Sequence, residues 1–331
     1  MGEAADVEAA EPALFGPVTR DLAAIESGLR RLIENDPDVV SRSMAELFAA
    51  GGKRIRPALV LLAARLGRYD LQRLTPAAMA VELTHAATLV HDDVIDRAKT
   101  RRGRPTVAAR LGDEPAIVIG DFYFAKAYEQ AAATDTPEVV TILARAVMEI
   151  CAGEVRQQAI RRRYRTGIEE YMPRIEAKTA TLLAACCEIG AVLGELGPRE
   201  RAALRGYGRQ LGLAFQIADD VLDYTGSEEE IGKPIGHDIA EGFSTLPLML
   251  AMEDADVARQ LSSLLRDGRG LSLVEARQVA TVVRASDGPQ KALELARAHA
   301  ANAQRELADI DDREVGKCLA DLTRYVVSRK L

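Results

Sequence analysis

Aromatic residues are scarce in this chain of 331 residues: they make up 4% of the composition, and tryptophan is absent. Proteins that hold single-stranded nucleic acid use aromatic side chains on which the bases stack. A nucleic-acid-binding surface is also usually basic, whereas the formal net charge here is −7. These two deficits argue against nucleic acid as the main partner.

Long hydrophobic runs and paired cysteines are missing too. The apolar run at residues 57–66 has the length of a core helix, not of a membrane span. The four cysteines, Cys151, Cys186, Cys187 and Cys318, show no C-x-x-C and no metal-type spacing. The acidic start of the sequence resembles neither a signal peptide nor an Arg-rich transit peptide. We therefore expect a cytoplasmic protein with reduced thiols and no membrane span.

The residues that are abundant favour helices almost throughout. Ala, Leu, Arg and Glu dominate, and apolar residues recur at three- and four-residue spacing. The breaks are short turns such as Gly51-Gly52 and Gly197-Pro198, and no long linker is visible. The sequence predicts an all-α fold: one domain over residues 19–331 with ten or more mostly antiparallel helices, after a flexible acidic tail at residues 1–18.

Two copies of a short acidic pattern stand out: residues 92–96 read DDVID and residues 219–223 read DDVLD. Residues four apart share a helix face, so each copy places two carboxylates side by side. Such a pair repels by roughly 4 kcal/mol at about 4 Å and intermediate dielectric. One copy alone would more often be a solvated helix end. Two copies, both on apolar helices, predict Mg²⁺ held between two helices beside a phosphorylated substrate.

The surrounding residues extend this pattern. In the first helix a mostly polar stripe should face a water-filled cavity; it consists of Glu82, His85, Leu89, Asp92 and Asp96. The second helix repeats the arrangement with Gly212, Gln216, Asp219 and Asp223. Two Arg- and Lys-rich segments, GGKRIRP at residues 51–57 and RRGRPT at residues 101–106, predict phosphate-binding sites.

Together these residues resemble the trans-isoprenyl diphosphate synthases, the all-helical enzymes that elongate prenyl chains. The likeness runs from about Gly51 to Pro247 and rests on GGKRIRP, ELTHAATLVHDDVIDRAKTRRGRPT, KTATL, FQIADDVLD and the segment GKPIGHDIAEG with STLP beyond it. It implies an isoprenoid synthase fold with a central active-site cavity. It also implies a homodimer that joins isopentenyl diphosphate head to tail onto an allylic diphosphate.

The resemblance further implies a role for individual residues. Six aspartates would ligate or support three Mg²⁺ ions: Asp92, Asp93, Asp96, Asp219, Asp220 and Asp223. Isopentenyl diphosphate would be held by four side chains beside one aromatic ring: Lys53, Arg56, His85, Arg102 and Phe215. The allylic diphosphate would be held by Arg101, Lys178 and Lys233. The implied catalytic residues are Lys178, Thr179 and Gln216, the last two along the developing carbocation.

One position departs from the family pattern. The segment after the second acidic motif usually reads E-G-K-x-T-L-P, and here Phe243 stands in place of the lysine. We expect weakened or altered binding of the allylic diphosphate there, not lost activity.

Small residues before the first motif bear on product length. Ala87 and Thr88 lie five and four positions before Asp92, where an aromatic side chain would act as a floor. Their small size favours a medium- or long-chain polyprenyl product. Alternatively, Ala87 is a close helix-packing residue and a deeper floor comes from Phe122, Tyr123 or Phe124, which would give a farnesyl- or geranylgeranyl-length product.

Three further alternatives stay open from the sequence. The chain could be a weakly catalytic or non-catalytic subunit of a heteromeric synthase, and Phe243 favours this mildly. It could be a class I terpene cyclase, although a second diphosphate site argues against cyclisation. It could also be a helical protein with acidic metal-binding surface patches and neither substrate.

Overall fold

The structure is a computed structural model that describes residues 14–49, 51–101, 103–227, 234–308, 310 and 312–328. Two of the residues implied to bind diphosphate, Arg102 and Lys233, lie outside the described residues. Of the predicted tail, residues 14–18 are described, and Phe15 and Val18 are buried there. The limits of the tail and of the domain stay predictions.

Helices make up nearly all of the described secondary structure, so the all-α prediction is confirmed. A 3₁₀ turn at Gly16–Val18 precedes the helices of the first half, which are α1 Thr19–Glu34, α2 Asp38–Ala49, α3 Ile55–Arg65, α4 Leu71–Ile95, α5 Val107–Leu111, α6 Asp113–Ala132, α7 Pro137–Ala159 and α8 Ile168–Ile175. A π-helical turn at Glu176–Ala180 leads into the helices of the second half, which are α9 Thr181–Leu193, α10 Pro198–Thr225, α11 His237–Ala240, α12 Leu246–Ala251, α13 Ala255–Leu261, α14 Leu273–Ala285, α15 Gly288–Glu306 and α16 Arg313–Val327. Two short antiparallel strands, β1 Thr100–Arg101 and β2 Arg104–Pro105, form a ribbon.

The chain divides into two compact units. The first contains the described residues up to Val147 together with Leu182–Gly208 and Glu306–Leu322. The second contains Met148–Thr181, Arg209–Arg305 and the described residues from Thr323 onward. The first acidic motif belongs to the first unit, and the second motif belongs to the second.

In the first unit, α4 carries the first motif and is buried along most of its length. Asp70 caps its N-terminus by accepting a hydrogen bond from the backbone N–H of Gln72. Neighbouring elements approach closely at glycines: a Cβ on Gly190 of α9 would lie 2.2 Å from the carbonyl oxygen of Val60 in α3. Only glycine fits there, so the small residue fixes the spacing of α3 and α9.

In the second unit, α10 carries the second motif and packs against the π-helical turn. A Cβ on Gly212 of α10 would lie 2.4 Å from Cα of Ala180, at the end of that turn. Arg209 of α10 forms a two-pronged ion pair with Glu176, the first residue of the turn, with N–O distances of 2.5 and 2.7 Å. These contacts hold the turn, and with it Lys178 and Thr179, against α10.

No helix within the described ranges has the length and apolar character needed to cross a membrane.

Candidate active site

The first acidic motif ends α4, and its three aspartates are not equivalent. Asp92 and Asp96 are partly exposed, whereas Asp93 is buried with 3% of its surface accessible. Asp96 caps the helix, and its backbone N–H donates to the carbonyl oxygen of Asp92 at 2.8 Å. The four-residue spacing thus presents two carboxylates on one helix face, as the sequence predicts. His85 and Leu89 on the same stripe are also partly exposed.

The buried member of the motif is held by an arginine from the ribbon that follows. Arg101 approaches Oδ1 of Asp93 with Nε at 3.0 Å and Nη2 at 2.9 Å. Burial raises the pKa of Asp93, and the Arg101 guanidinium opposes that rise. The Thr106 hydroxyl donates to the carbonyl oxygen of Ala98 at 2.7 Å and closes the loop. Arg101, implied to bind the allylic diphosphate, is therefore oriented by Asp93.

The glycine turn before α3 is fixed by Arg54, which the sequence groups with the phosphate-binding cations of GGKRIRP. Arg54 adopts a left-handed backbone conformation with φ of 51°. Its guanidinium pairs with Glu82 at 3.1 Å and with Glu26 at 3.2 Å. Lys53 is exposed and Arg56 partly exposed on either side of it. The structure thus uses Arg54 as the anchor that places the two cations implied to bind isopentenyl diphosphate.

This anchor corrects one part of the predicted stripe. The stripe was predicted to face a water-filled cavity, but Glu82 is only 6% exposed and pairs with Arg54. The sequence did carry a signal for this pair, because a buried glutamate on an apolar helix requires a cation.

The residues implied to control product length differ in burial. Ala87 has no accessible surface, as its alternative role in close helix packing requires. Thr88 is partly exposed, and its hydroxyl donates to the carbonyl oxygen of His85 at 2.7 Å. Close packing of α4 on α6 is visible at Gly120, where a Cβ would lie 2.1 Å from Nε2 of His91. Thr88 is therefore the more accessible of the two.

In the second unit, two of the residues implied to be catalytic, Thr179 and Gln216, are joined by a hydrogen bond that continues to the metal-site candidate Asp220. The Thr179 hydroxyl donates to Oε1 of Gln216 at 2.5 Å. The Gln216 amide donates to Oδ1 of Asp220 at 2.8 Å, and the Tyr171 hydroxyl donates to the other oxygen of Asp220 at 2.8 Å. Lys178 is exposed on the same π-helical turn. Such turns recur at functional sites, since the extra residue redirects side chains.

The end of this chain of hydrogen bonds is a carboxyl group with a shifted pKa. Burial, followed by the nearby carboxylate of Asp238, raises the pKa of Asp220 to about 7, against the opposing effects of Gln216, Arg174 and Tyr171. The unfolded chain releases this proton near pH 4. Stability that depends on protonated Asp220 is therefore present below about pH 4 and is lost as the pH rises towards about 7.

The remaining aspartates of the second motif differ in burial, and the buried one corrects the prediction that both face a water-filled cavity. Asp219 is partly exposed, beside the partly exposed ring of Phe215. Asp223 has no accessible surface. Its Oδ2 accepts the backbone N–H of Asp238 at 3.2 Å, and its carbonyl oxygen accepts that of Gly236 at 2.9 Å. The segment after the motif is thus tied back to it.

Phe243 lies in that segment and meets an arginine that sequence reasoning missed. The Arg161 guanidinium lies over the Phe243 ring at 5.4 Å, forms an ion pair with the Glu241 carboxylate, and donates from Nε to the Glu241 carbonyl oxygen at 2.6 Å. A second arginine, Arg174, donates to the Ser244 carbonyl oxygen at 2.6 Å. Nothing in the sequence pattern pointed to either residue, since neither belongs to a motif.

The donor set fits Mg²⁺ in its chemistry. Both motifs offer only carboxylate oxygens, which are the ligands that this hard cation prefers. Among the described residues, no three His, Cys, Asp or Glu side chains are gathered as a complete metal cage. Mg²⁺ is commonly held by one or two carboxylates together with substrate phosphates, so a partial site is sufficient. Asp92, Asp96 and Asp219, partly exposed, are the accessible candidates.

Known proteins resemble the chain over nearly its full length. The family model described as polyprenyl synthetase matches residues 37–280. Heptaprenyl diphosphate synthase component 2 of Geobacillus stearothermophilus is 37% identical over 96% of this chain and 98% of that protein. Nonaprenyl diphosphate synthase of Mycobacterium tuberculosis is 34% identical over 98% and 97%. A polyprenyl synthase structure from Caulobacter crescentus, complexed with calcium and isoprenyl diphosphate, has a TM-score of 0.89 and 34% identity, covering 97% and 98%.

Proposed function

The chain belongs to the polyprenyl synthetase family and is a trans-prenyltransferase. From this starting point we propose that it adds isopentenyl diphosphate repeatedly to an allylic diphosphate and gives an all-trans polyprenyl diphosphate of medium or long chain. The observation that carries the proposal is the pair of acidic motifs, each with at least one accessible carboxylate beside a buried, hydrogen-bonded one.

Mg²⁺ would be held by the accessible carboxylates, which are Asp92 and Asp96 in the first motif and Asp219 in the second, and would bind the allylic diphosphate. When bound, three Mg²⁺ ions supply positive charge that stabilises the departing diphosphate. Arg101 and Lys178 bind its oxygens directly, as Lys233 does in the family pattern.

The carbon–oxygen bond then breaks and leaves an allylic cation, along which Thr179 and Gln216 present their polar atoms. The hydroxyl of Thr179 is held by Gln216, which fixes its position. Lys53, Arg56, His85 and Arg102 hold isopentenyl diphosphate, with Phe215 alongside, so that its double bond attacks the cation. The proton released in the last step goes to the departing diphosphate.

Two relatives that match this chain over nearly its full length are named for heptaprenyl and nonaprenyl products, which supports a long product here. Thr88 supports it as well, because it is small and partly exposed four residues before Asp92. We place the enzyme in the cytoplasm as a homodimer. A farnesyl- or geranylgeranyl-length product is the alternative if an aromatic side chain of α6 forms a floor.

The test is an elongation assay with purified protein, Mg²⁺, labelled isopentenyl diphosphate and dimethylallyl, geranyl or farnesyl diphosphate in parallel. We expect a ladder of products that ends beyond twenty carbons. Asp92→Asn should reduce incorporation by at least about a hundredfold. The exposed Asp256 on α13 provides the matched control, and Asp256→Asn should leave incorporation unchanged. Equal incorporation by both variants would contradict the proposal.

A second candidate has one observation in its favour. The Geobacillus relative is named as component 2 of its synthase, and this chain is 37% identical to it. The chain could accordingly act as one subunit of a heteromeric synthase. Full-length products from the purified chain alone would argue against this reading, whereas activity that appears only in a cell extract would favour it. Formation of cyclic hydrocarbons without isopentenyl diphosphate would instead indicate a terpene cyclase.

A further inference from the structure

Two loops of the second unit are joined into one surface. The loop at residues 160–167 follows α7, and the loop at residues 262–272 follows α13. Gly268 N–H donates to the Arg162 carbonyl oxygen at 3.0 Å, and Tyr164 N–H donates to Oδ1 of Asp267 at 2.9 Å. The Tyr164 hydroxyl donates to the Arg269 carbonyl oxygen at 2.6 Å. Tyr164 itself is 1% exposed, so it fixes both loops to the core.

This surface, which we term the arginine patch, carries charge opposite to that of the whole chain. Its members are the exposed arginines of the two loops: Arg162, Arg163, Arg165, Arg266 and Arg269. Two of them are paired, Arg163 with Glu170 at 3.3 Å and Arg269 with Glu275. Within the described ranges the other three form no ion pair. The chain as a whole has a net charge of −7, so these cations are a local feature.

Asp267 is the one carboxylate within the two loops, and Glu169 follows in the first turn of α8. Oδ1 of Asp267 accepts the Tyr164 N–H, and among the residues that the structure describes Asp267 forms no ion pair. The Arg162 guanidinium lies beside Gly270, where a Cβ would be 3.5 Å from it. This contact and the hydrogen bonds between the loops bring the arginine-bearing segments of the two loops together.

Large aliphatic side chains lie at the edge of the patch. Ile168 is 43% exposed in the first turn of α8, and Leu273 and Val274 are 52% and 66% exposed in the first turn of α14. Ile168 is three residues from Arg165 and Leu273 is four from Arg269, so they lie within about 11 Å and about 14 Å of the patch along the chain. These three side chains add exposed apolar surface at the edge of the patch.

We propose that the arginine patch docks the protein on an anionic lipid bilayer. Ile168, Leu273 and Val274 would enter the boundary between headgroups and acyl chains, while the arginine stems lie along it and their guanidinium groups contact lipid phosphates. The positive charge of the arginines favours an anionic bilayer over a neutral one. The purpose of docking rests on the proposed function, because a long polyprenyl product is too apolar to leave into water.

The experiment is sedimentation of the full chain with vesicles. Vesicles of phosphatidylcholine alone are compared with vesicles that also contain phosphatidylglycerol, at low and at high salt. We expect binding to the anionic vesicles alone, weakened by salt. Each arginine near such a surface contributes about a fivefold change in partitioning. The variant Arg162→Gln/Arg165→Gln/Arg266→Gln should therefore weaken binding by about a hundredfold.

Matched controls separate the patch from general charge and apolarity. Arg30→Gln/Arg145→Gln/Arg297→Gln removes three exposed arginines elsewhere and should bind as the unmodified chain does. Val274→Ser should weaken binding severalfold, whereas Val39→Ser, at a site that is 58% exposed, should not. Circular dichroism melting of each variant shows that a loss is not caused by unfolding.

Three outcomes would overturn the proposal: no binding to anionic vesicles, equal binding by the patch variant, or equal binding to neutral vesicles. Full competition by soluble polyphosphate with no effect of Val274→Ser would also overturn it, and would indicate a soluble polyanion as the ligand. Incorporation of isopentenyl diphosphate is measured separately in detergent. A chain that binds vesicles but shows no incorporation would contradict the proposed function alone. A chain that is active but does not bind vesicles would contradict this inference alone.

Discussion

Removing the Arg54 side chain should reveal how much the glycine turn before α3 contributes to stability and to substrate binding. Arg54 and Glu82 retain only 14% and 7% of their side-chain surfaces exposed, and their N–O distance is 3.1 Å. The turn carries Lys53 and Arg56, the proposed ligands of isopentenyl diphosphate. We therefore expect Arg54→Ala to act on both the free energy of unfolding and the KM for that substrate.

The magnitude follows from the geometry of the ion pair. At 3.1 Å and an effective dielectric near 20, the attraction is roughly 5 kcal/mol before the cost of desolvation. Loss of one partner from a buried pair typically costs about 3–5 kcal/mol, because the other charge stays buried alone. Glu26, which also contacts Arg54, is about half exposed and is solvated after the change. We expect Arg54→Ala to lower the free energy of unfolding by about 3 kcal/mol.

A second substitution at the same position separates the backbone from the side chain. Arg54 has φ of 51°, a conformation that costs a non-glycine residue about 1 kcal/mol and that glycine adopts freely. Arg54→Gly should therefore be about 1 kcal/mol more stable than Arg54→Ala. Urea unfolding measures both, and steady-state kinetics should show a raised KM for isopentenyl diphosphate with kcat and the KM for the allylic substrate little changed.

The double variant Arg54→Met/Glu82→Met provides the check on the electrostatic argument. It removes both charges and keeps the volume, so it should be more stable than either single variant. Single variants that unfold at the same urea concentration as the unmodified chain would refute the reasoning, as would an unchanged KM in a folded Arg54→Ala protein.

Three other changes test further parts of the site. Stability linked to protonated Asp220 is lost as the pH rises from about 4 to about 7, so metal-free Asp220→Asn should melt at a higher temperature than the unmodified chain at pH 8. An advantage of the same size at pH 5 would contradict the raised pKa of Asp220. Thr88→Phe should shorten the products more than Ala87→Phe, since only Thr88 is partly exposed; unchanged chromatograms would exclude a tunnel there. Gly212→Ala should destabilise by about 1–3 kcal/mol in thermal melts, because its Cβ would meet Ala180, and wild-type stability would show that the contact relaxes.

Much of the helical architecture is encoded locally and was accessible from the sequence. The four-residue spacing correctly placed Asp92 and Asp96 on a partly exposed face of α4. The same expectation was wrong for the second motif, where Asp219 is partly exposed but Asp223 has no accessible surface. In both motifs the second aspartate, Asp93 or Asp220, lies in the interior. The π-helical turn at Glu176–Ala180 could not be anticipated, because it depends on the close approach of Gly212, a residue more than thirty positions away.

Roles that depend on tertiary contacts were harder to foresee. Arg54 looks like one more phosphate-binding cation in GGKRIRP, and only the fold shows that it faces Glu82 and Glu26. Arg161 lies outside every motif, although it pairs with Glu241 and covers Phe243. A sequence pattern indicates which side chains could bind a ligand, but tertiary packing decides which of them pair with other side chains instead.

The second aspartate of each motif, Asp93 or Asp220, is buried and serves to position other side chains. Each is held by donors of its own unit: Asp93 by Arg101, and Asp220 by Tyr171 and Gln216. These bonds occupy Oδ1 of Asp93 and both carboxylate oxygens of Asp220, so the two residues suit positioning better than direct coordination. Asn at position 93 would still accept from Arg101 with one oxygen, but it would lose the charge that orients the guanidinium. We therefore expect Asp93→Asn to lower kcat, and Asp92→Asn to raise the Mg²⁺ concentration needed for half-maximal activity. Titration of activity with Mg²⁺ separates the two, and identical Mg²⁺ curves for both variants would show that the buried and exposed aspartates share one role.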